Sequence, residues 1–357
     1  MKAAPVHRAL RALGADVQLV HTGQHYDAEM SAVFLDELGL PTPDVFLGVG
    51  SGTHAEQTAK ALVGVESVLR ERRPDLVVVP GDVNSTLAGA LAAAKLEIPV
   101  AHLEAGLRSR DRSMPEEHNR VLADHLSDLH LVHQDEAVEN LAAEGISGDN
   151  VQLVGNTMID SVLAHVDAAR GLQPWRDFGV EPGGYGLVTL HRPALVDDPR
   201  LLAATVEGLV ALAAAAPVVF PVHPRTRERL AAAGHAERLE DAGVRLSGPL
   251  GYLAFLGLEA EARFVLTDSG GVQEETSALG VRCFTLRNQT EREVTVRLGT
   301  NEVLGAAPEQ IALIPQKLET AKPGEPIPFW DGAAGPRSAE AIMAFLAPSR
   351  RPVEAVA

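Results

Sequence analysis

The sequence predicts an α/β protein made of two similar-sized halves, each a parallel sheet covered by helices. Two observations carry this. Short β-branched runs alternate with helical stretches along almost the whole chain, and the alternation restarts after a Gly- and Pro-rich break from Gly171 to Gly186. At 357 residues the chain is long for one core and comfortable for two.

In the first half, strands are expected at Val17–His21, Leu76–Gly81, Val100–Glu104, Leu129–His133 and Val151–Val154. Helices are expected at Ala55–Glu71, Ser85–Lys95 and Pro115–Ser127. The second half repeats the pattern with strands at Gly186–His191, Val218–His223, Val244–Leu246, Phe264–Thr267 and Cys283–Leu286. Asp197-Asp198-Pro199 is its best helix start, a capping carboxylate followed by proline in the first turn. The expected domains are 1–171, 172–336 and a terminal helix with its tail, 337–357, packing back on the first. One feature departs from the pattern: the chain opens on a helical stretch, and its first strand comes only at Val17. That reads as an unusual domain or as a missing preceding strand.

A composition of 46% hydrophobic and 22% charged residues is that of a globular protein. The 31 Lys+Arg against 48 Asp+Glu give a net charge of −17, which argues against nucleic acid and anionic membranes as partners. An anionic ligand must then be met by a local cluster of donors. Cys283, the single cysteine, stands in an apolar run and reads as a buried strand residue. No leader-like apolar region follows Met1, and the most hydrophobic window, Leu201 to Val222, is interrupted by Glu207 and Pro217. A cytoplasmic protein is expected.

Ligands of parallel α/β sheets bind beyond the carboxyl ends of the strands, so polar residues just after apolar runs are the candidates. The filter selects Asp82 in Pro80-Gly81-Asp82, Glu104 in His102-Leu103-Glu104-Ala105-Gly106, and then Glu116 and Glu117. Three carboxylates at one sheet edge can divide acid and base roles. Asp82 has a second reading as a cap for the helix near Ser85. Glu117 reads as a residue favouring its helix dipole. Glu104 has no capping duty, and its small neighbours suit backbone near a ligand.

In the second half His191 and His223 each end a strand, with Arg192 and Arg225 nearby, which favours anion binding. Thr267-Asp268-Ser269-Gly270-Gly271-Val272-Gln273-Glu274-Glu275 is a strand, a Ser-Gly-Gly turn and a helix that begins at once. Bare amides at such a helix start make a phosphate site, and a carboxylate one turn in can take ribose hydroxyls. A capped turn with ordinary helix glutamates is the plainer alternative. Gly48-Val49-Gly50-Ser51-Gly52 lacks dinucleotide spacing, and His21 and His25 straddle a turn instead of sharing a helical face. No metal site is expected.

These segments, with Pro115-Glu116-Glu117-x-Asn119-Arg120 and Leu286-Arg287-Asn288-Gln289-Thr290-Glu291-Arg292, resemble the non-hydrolysing UDP-N-acetylglucosamine 2-epimerases. The resemblance runs from about Lys2 to the end. It implies a GT-B fold, two Rossmann-like three-layer domains whose parallel sheets face a cleft. It also implies a homodimeric, cofactor-independent isomerase that works on a UDP-sugar in polysaccharide precursor synthesis. The implied reaction eliminates UDP to a 2-acetamidoglucal and adds it back with C2 inverted. Asp82, Glu104 and Glu116 would be the acid/base carboxylates, and His191 would assist at the diphosphate. Lys2, Arg120, His223 and Arg292 would contact substrate, and Ser269, Gly270 and Gly271 would hold phosphate. Glu274 or Glu275 would take the ribose and Phe255 would lie near the uracil. The chain departs from the family pattern in lacking the opening strand and Gly-Thr-Arg-Pro loop. It also differs around Gln24-His25-Tyr26-Asp27 and His223-Pro224-Arg225-Thr226, where the activating second UDP-sugar would act, and in Glu293 where proline usually follows Arg292. The alternatives are a GT-B glycosyltransferase, a hydrolysing 2-epimerase and an inactive UDP-binding homologue.

Overall fold

The computed structural model describes residues 1–24, 35 and 37–347; Tyr26, Asp27 and His25 lie outside them. Internal contacts divide the chain into two units. The first comprises Met1–Ala32, Leu40–Thr157 and Ala333–Ala357, the second Val33–Gly39 and Met158–Gly332.

In the first unit β1 (Val20–His21) and β2 (Val45–Phe46) form a short parallel pair. The main sheet is parallel, in the order β3 (Val77–Pro80), β4 (Val100–Leu103), β5 (Leu129–Val132), β6 (Val151–Leu153). β4 and β5 are buried at every residue, so both faces are apolar except at His102 and His130 and no in/out alternation shows. On one side Ala101, Leu103, Leu129 and Leu131 pack with Val6 and Leu10 of the helix Ala3–Ala12 and Ala339 and Ile342 of the helix Ala334–Leu346. On the other, Val79 and Val100 pack with Ala90 and Ala93 of the helix Asn84–Lys95 and Val65 and Leu69 of the helix His54–Arg72. The latter opens on a reciprocal cap between Thr53 and Glu56.

The second unit holds six parallel strands, in the order β12 (Asn301–Val303), β11 (Arg282–Thr285), β10 (Phe264–Thr267), β7 (Gly186–Thr189), β8 (Val218–Pro221), β9 (Val244–Ser247). The order reverses between β7 and β10, which makes their carboxyl ends a topological switch point. Asp198 caps the helix Pro199–Ala213 as expected, accepting from Arg200 N at 2.8 Å and Leu201 N at 3.2 Å. Cys283 is fully buried in β11, and burial pushes its thiol up to about 12.

The structure differs from expectation at several points. The strand expected from Val17 forms only at Val20–His21, while β2 and β12 were not foreseen. The two units meet in sequence at Thr157 and Met158, so the expected linker lies inside the second unit. There the short turn Pro174–Phe178 buries Trp175 beside Tyr185 and Leu258, which makes this stretch part of the core. The terminal helix Ala334–Leu346 belongs to the first unit. Among the described residues no helix is long and apolar enough to cross a membrane.

Candidate active site

In the first unit the chemistry gathers at the carboxyl ends of β3 and β4. Gly81, at φ +68°, turns the chain out of β3, and a side chain there would meet Lys2 Nζ at 3.0 Å and Glu104 Oε2 at 3.4 Å. Only glycine suits both the conformation and the space. The helix Asn84–Lys95 starts without a side-chain cap, which sets aside the capping reading of Asp82. The Asp82 carboxylate instead meets Arg120, Oδ2 lying 2.9 Å from Nε and 2.7 Å from an Nη. Asn119 donates to the Asp82 carbonyl at 2.9 Å.

Glu104 follows β4 with φ +72°, a backbone state that costs a non-glycine residue about 1–3 kcal/mol and concentrates at functional sites. One carboxylate oxygen pairs with Lys2, while the other is buried with no hydrogen-bond partner among the described residues. The carboxylate is thus desolvated and half satisfied, the state of a group awaiting a ligand.

Glu117 is not a simple dipole residue. It is buried and accepts from Ser109 N at 2.9 Å, Ser109 Oγ at 2.9 Å, Arg110 N at 2.8 Å and Arg120 at 2.9 Å. Burial alone would raise its carboxyl, but these donors outweigh it and hold the group below its ordinary range. It thereby fixes the loop after β4 and holds Arg120 against Asp82. Glu116 lies half-exposed on the first turn of the helix Pro115–Leu126, and among the described residues no hydrogen bond joins it to Asp82 or Glu104.

In the second unit the ends of β7 and β10 are joined through Asp268, which is 1% exposed. Its Oδ2 accepts from the backbone N–H of His191 and of Arg192, both at 2.8 Å, and Oδ1 lies 3.0 Å from His191 Nδ1. Arg192 Nε donates to the Asp268 carbonyl at 2.8 Å. Burial opposes the charge of Asp268, yet these contacts keep its carboxyl low. An ionised Asp268 thus stands against the Nδ1 side of the His191 ring. The His223 ring lies 5.8 Å from that of His191; burial first, then His191 and Arg225, keep His223 below its ordinary value.

Ser269 is the N-cap of the helix Gly270–Leu279, and its side chain caps no amide, so the first-turn N–H groups keep their capacity for an anion. The glycines also answer to packing. A Cβ on Gly270 would sit 3.1 Å from Glu291 Oε1, and one on Gly271 would sit 3.0 Å from Met158 Cε. Arg292 is buried and bonds Glu291 at 2.7 Å, with Glu274 3.5 Å from its Nε, which makes both part of an internal charge network. Glu275 is buried as well, and it interacts with Glu259, fully buried on the helix Tyr252–Ala260. Phe255 of that helix is half-buried against the core.

The residues that follow strands stand out in the sequence, but Glu117 reads there only as a dipole residue, and Asp268, Glu259 and Glu291 have no role. Of these only Asp268 carried a usable signal, its place at the end of β10 directly before Ser-Gly-Gly. Among the described residues no three His, Cys, Asp or Glu side chains gather as a cation set.

Two parallel α/β units, the second with a strand, a Ser-Gly-Gly corner and a helix at its switch point, define a GT-B-type protein for nucleotide-sugars. The profile of UDP-N-acetylglucosamine 2-epimerase matches residues 8–343, and the chain belongs to that family of isomerases. It is 43% identical over 343 residues to the UDP-N-acetylglucosamine 2-epimerase of Methanocaldococcus jannaschii, covering 94% of each chain. It is 44% identical over 298 residues to the UDP-2,3-diacetamido-2,3-dideoxy-D-glucuronate 2-epimerase of Pseudomonas aeruginosa, covering 82% of this chain and 81% of that one. The crystal structure of the M. jannaschii UDP-GlcNAc 2-epimerase in complex with UDP-GlcNAc and UDP superposes with a TM-score of 0.88 at 42% identity, covering 96% of both chains.

Proposed function

We propose that this epimerase inverts C2 of UDP-N-acetylglucosamine by eliminating UDP to a glycal and then adding it back at C1 while the proton returns to C2 from the opposite face. The weakly acidic C2–H needs a positioned base, and departing UDP needs its charge stabilised. The observation that carries the assignment is Glu104, desolvated and held in a strained backbone. Lys2 bonds one of its oxygens, and the other has no partner among the described residues. Asp82, oriented by Arg120, and Glu116 are its partners in taking and returning the proton. In the second unit the first-turn amides after Ser269, with Gly270 and Gly271, receive phosphate. His191, oriented by Asp268, stabilises the leaving diphosphate, with His223 beside it. Glu275 takes the ribose in preference to Glu274, which the Arg292 network engages. Phe255 sits toward the base. The reducing cytoplasm suits the buried free thiol of Cys283, and a homodimer is the assembly to test by light scattering.

Incubation with UDP-N-acetylglucosamine in D2O tests the reading. Wild type should take up deuterium at C2, and Glu104→Gln should lower that rate by about 10²–10⁴-fold while leaving UDP affinity within twofold. Sugar transfer to an added acceptor without exchange would show a glycosyltransferase, and release of free N-acetylmannosamine with UDP would show a hydrolysing enzyme.

A further inference from the structure

His102 lies on β4, between Asp82 and Glu104 in sequence, and takes no part in the chemistry above. It is 0% exposed, and both of its ring nitrogens face oxygen acceptors. Nδ1 is 2.6 Å from Asp124 Oδ1, and Nε2 is 2.7 Å from the carbonyl of Gly81. A carbonyl oxygen cannot donate, and an ionised carboxylate cannot either. A neutral imidazole has one N–H, so one of the two contacts would set lone pair against lone pair. Both short contacts are satisfied only when both nitrogens carry hydrogen.

The surroundings favour that charge. Asp124 is fully buried on the helix Pro115–Leu126 and also accepts from Gly106 N at 3.1 Å and pairs with Arg108 at 2.7 Å. Arg108 in turn holds Glu144 through two bonds of 2.7 Å. On β5, His130 stands opposite His102 in register and contacts the Asp124 carbonyl at 2.8 Å through Nε2. Glu104, with Lys2 against it, follows on β4's own chain, and Asp82 with Arg120 lies past the Gly81 turn. Burial opposes the charge on His102, but Asp124, the Gly81 carbonyl and Glu104 outweigh it and hold its pKa above the ordinary histidine value.

The peptides on either side of Gly81 are thereby tied to β4: its N–H donates to the Leu103 carbonyl at 2.9 Å, and its carbonyl accepts from the His102 ring. Asp82 is the next residue, and Glu104 is two residues beyond His102. Resting on the reading that these carboxylates move the C2 proton, we propose that His102 is a positioning residue. It is an imidazolium that clamps the Gly81 turn to Asp124 and so fixes where Asp82 and Glu104 stand.

The first test needs no variant function. In full-length protein labelled with 15N in its histidine rings, the His102 signals, assigned by their absence from a His102 variant, should report N–H at both nitrogens at pH 7.5. A single-proton tautomer at that pH overturns the proposal. The second uses two amides of different reach. His102→Gln places a donor near the Nε2 position and keeps the Gly81 bond; His102→Asn places one near Nδ1 and loses it. The expected outcome is that His102→Asn lowers kcat for C2 exchange by about 100-fold with KM nearly unchanged. His102→Gln should recover most of that rate although both variants melt alike. Equal losses that track melting temperature would make His102 a core residue only and overturn the positioning role. Failure of the parent reading is separate: wild type itself would exchange no C2 proton. Failure of this proposal is wild-type exchange that His102→Asn leaves unchanged.

Discussion

A glutamate at φ +72° stays there only because its surroundings hold it: Lys2 takes one oxygen, and the Glu104 backbone N–H donates to Leu131 at 3.0 Å. The same scale of detail governs the buried acids of the second unit. Glu259 and Glu275 are both buried, and among the described residues neither Glu259 oxygen has a hydrogen bond of ordinary geometry. Burial and then Glu275 push Glu259 well up, and burial pushes Glu275 from 4.5 to about 7. The folded state therefore binds protons more tightly than the unfolded chain, and stability falls as pH rises from about 4.5 to 7. Glu259→Gln removes one charge from the pair. Its melting temperature should exceed wild type at pH 8, by about 2–4 °C for each kcal/mol gained, and should match it at pH 5, as read by scanning fluorimetry at both values. None of this was legible in the sequence. Glu259 stands in Leu258-Glu259-Ala260-Glu261, which looks like any helix with solvated acids, and only tertiary packing decides that Glu259 is buried while Glu261 is not. The places of Asp82, Glu104 and His191 just past strands were legible because each follows an apolar run, and a strand's end is where a parallel sheet meets its ligand.

At the level of elements, the longer strands were readable because buried strands are short, mainly apolar runs such as Val77-Val78-Val79 and Phe264-Val265-Leu266. β2 and β12, of two and three residues, carry too few side chains to show a pattern. The expected linker misled for a related reason: Pro174, Pro182 and two glycines mark turns, and turns occur within cores as well as between them. The helix Ala334–Leu346 tests how much one element contributes. Ile342 is 2% exposed in the cluster formed with Val6, Leu10 and Leu131, and a Cβ on Gly335 would lie 2.7 Å from Pro5. Ile342→Ala should therefore destabilise the first unit by about 2–5 kcal/mol, measured by denaturant unfolding. An exposed neighbour such as Glu340 changed to Gln should move it by less than about 0.5 kcal/mol.

For the whole molecule, a net charge of −17 means that an anionic nucleotide is bound against the mean field, by donors gathered at one place. Free UDP at 100 times its dissociation constant should stabilise the protein by about 2.7 kcal/mol. Amide exchange should slow most along β10 and the helix Gly270–Leu279, more than along β4 and β5. Equal slowing in all four would place the nucleotide away from the Ser-Gly-Gly corner.

The first unit is built from three stretches of chain, and the last of them, the helix Ala334–Leu346, closes over the helix Ala3–Ala12. On the ribosome the order of completion then runs against the order of synthesis. The early residues emerge first but wait, with Val6, Leu10, Leu129 and Leu131 uncovered on that side, until all of Met158–Gly332 has followed. Nascent chains stalled before residue 334 should accordingly display a chaperone-binding apolar face that released, complete chains hide.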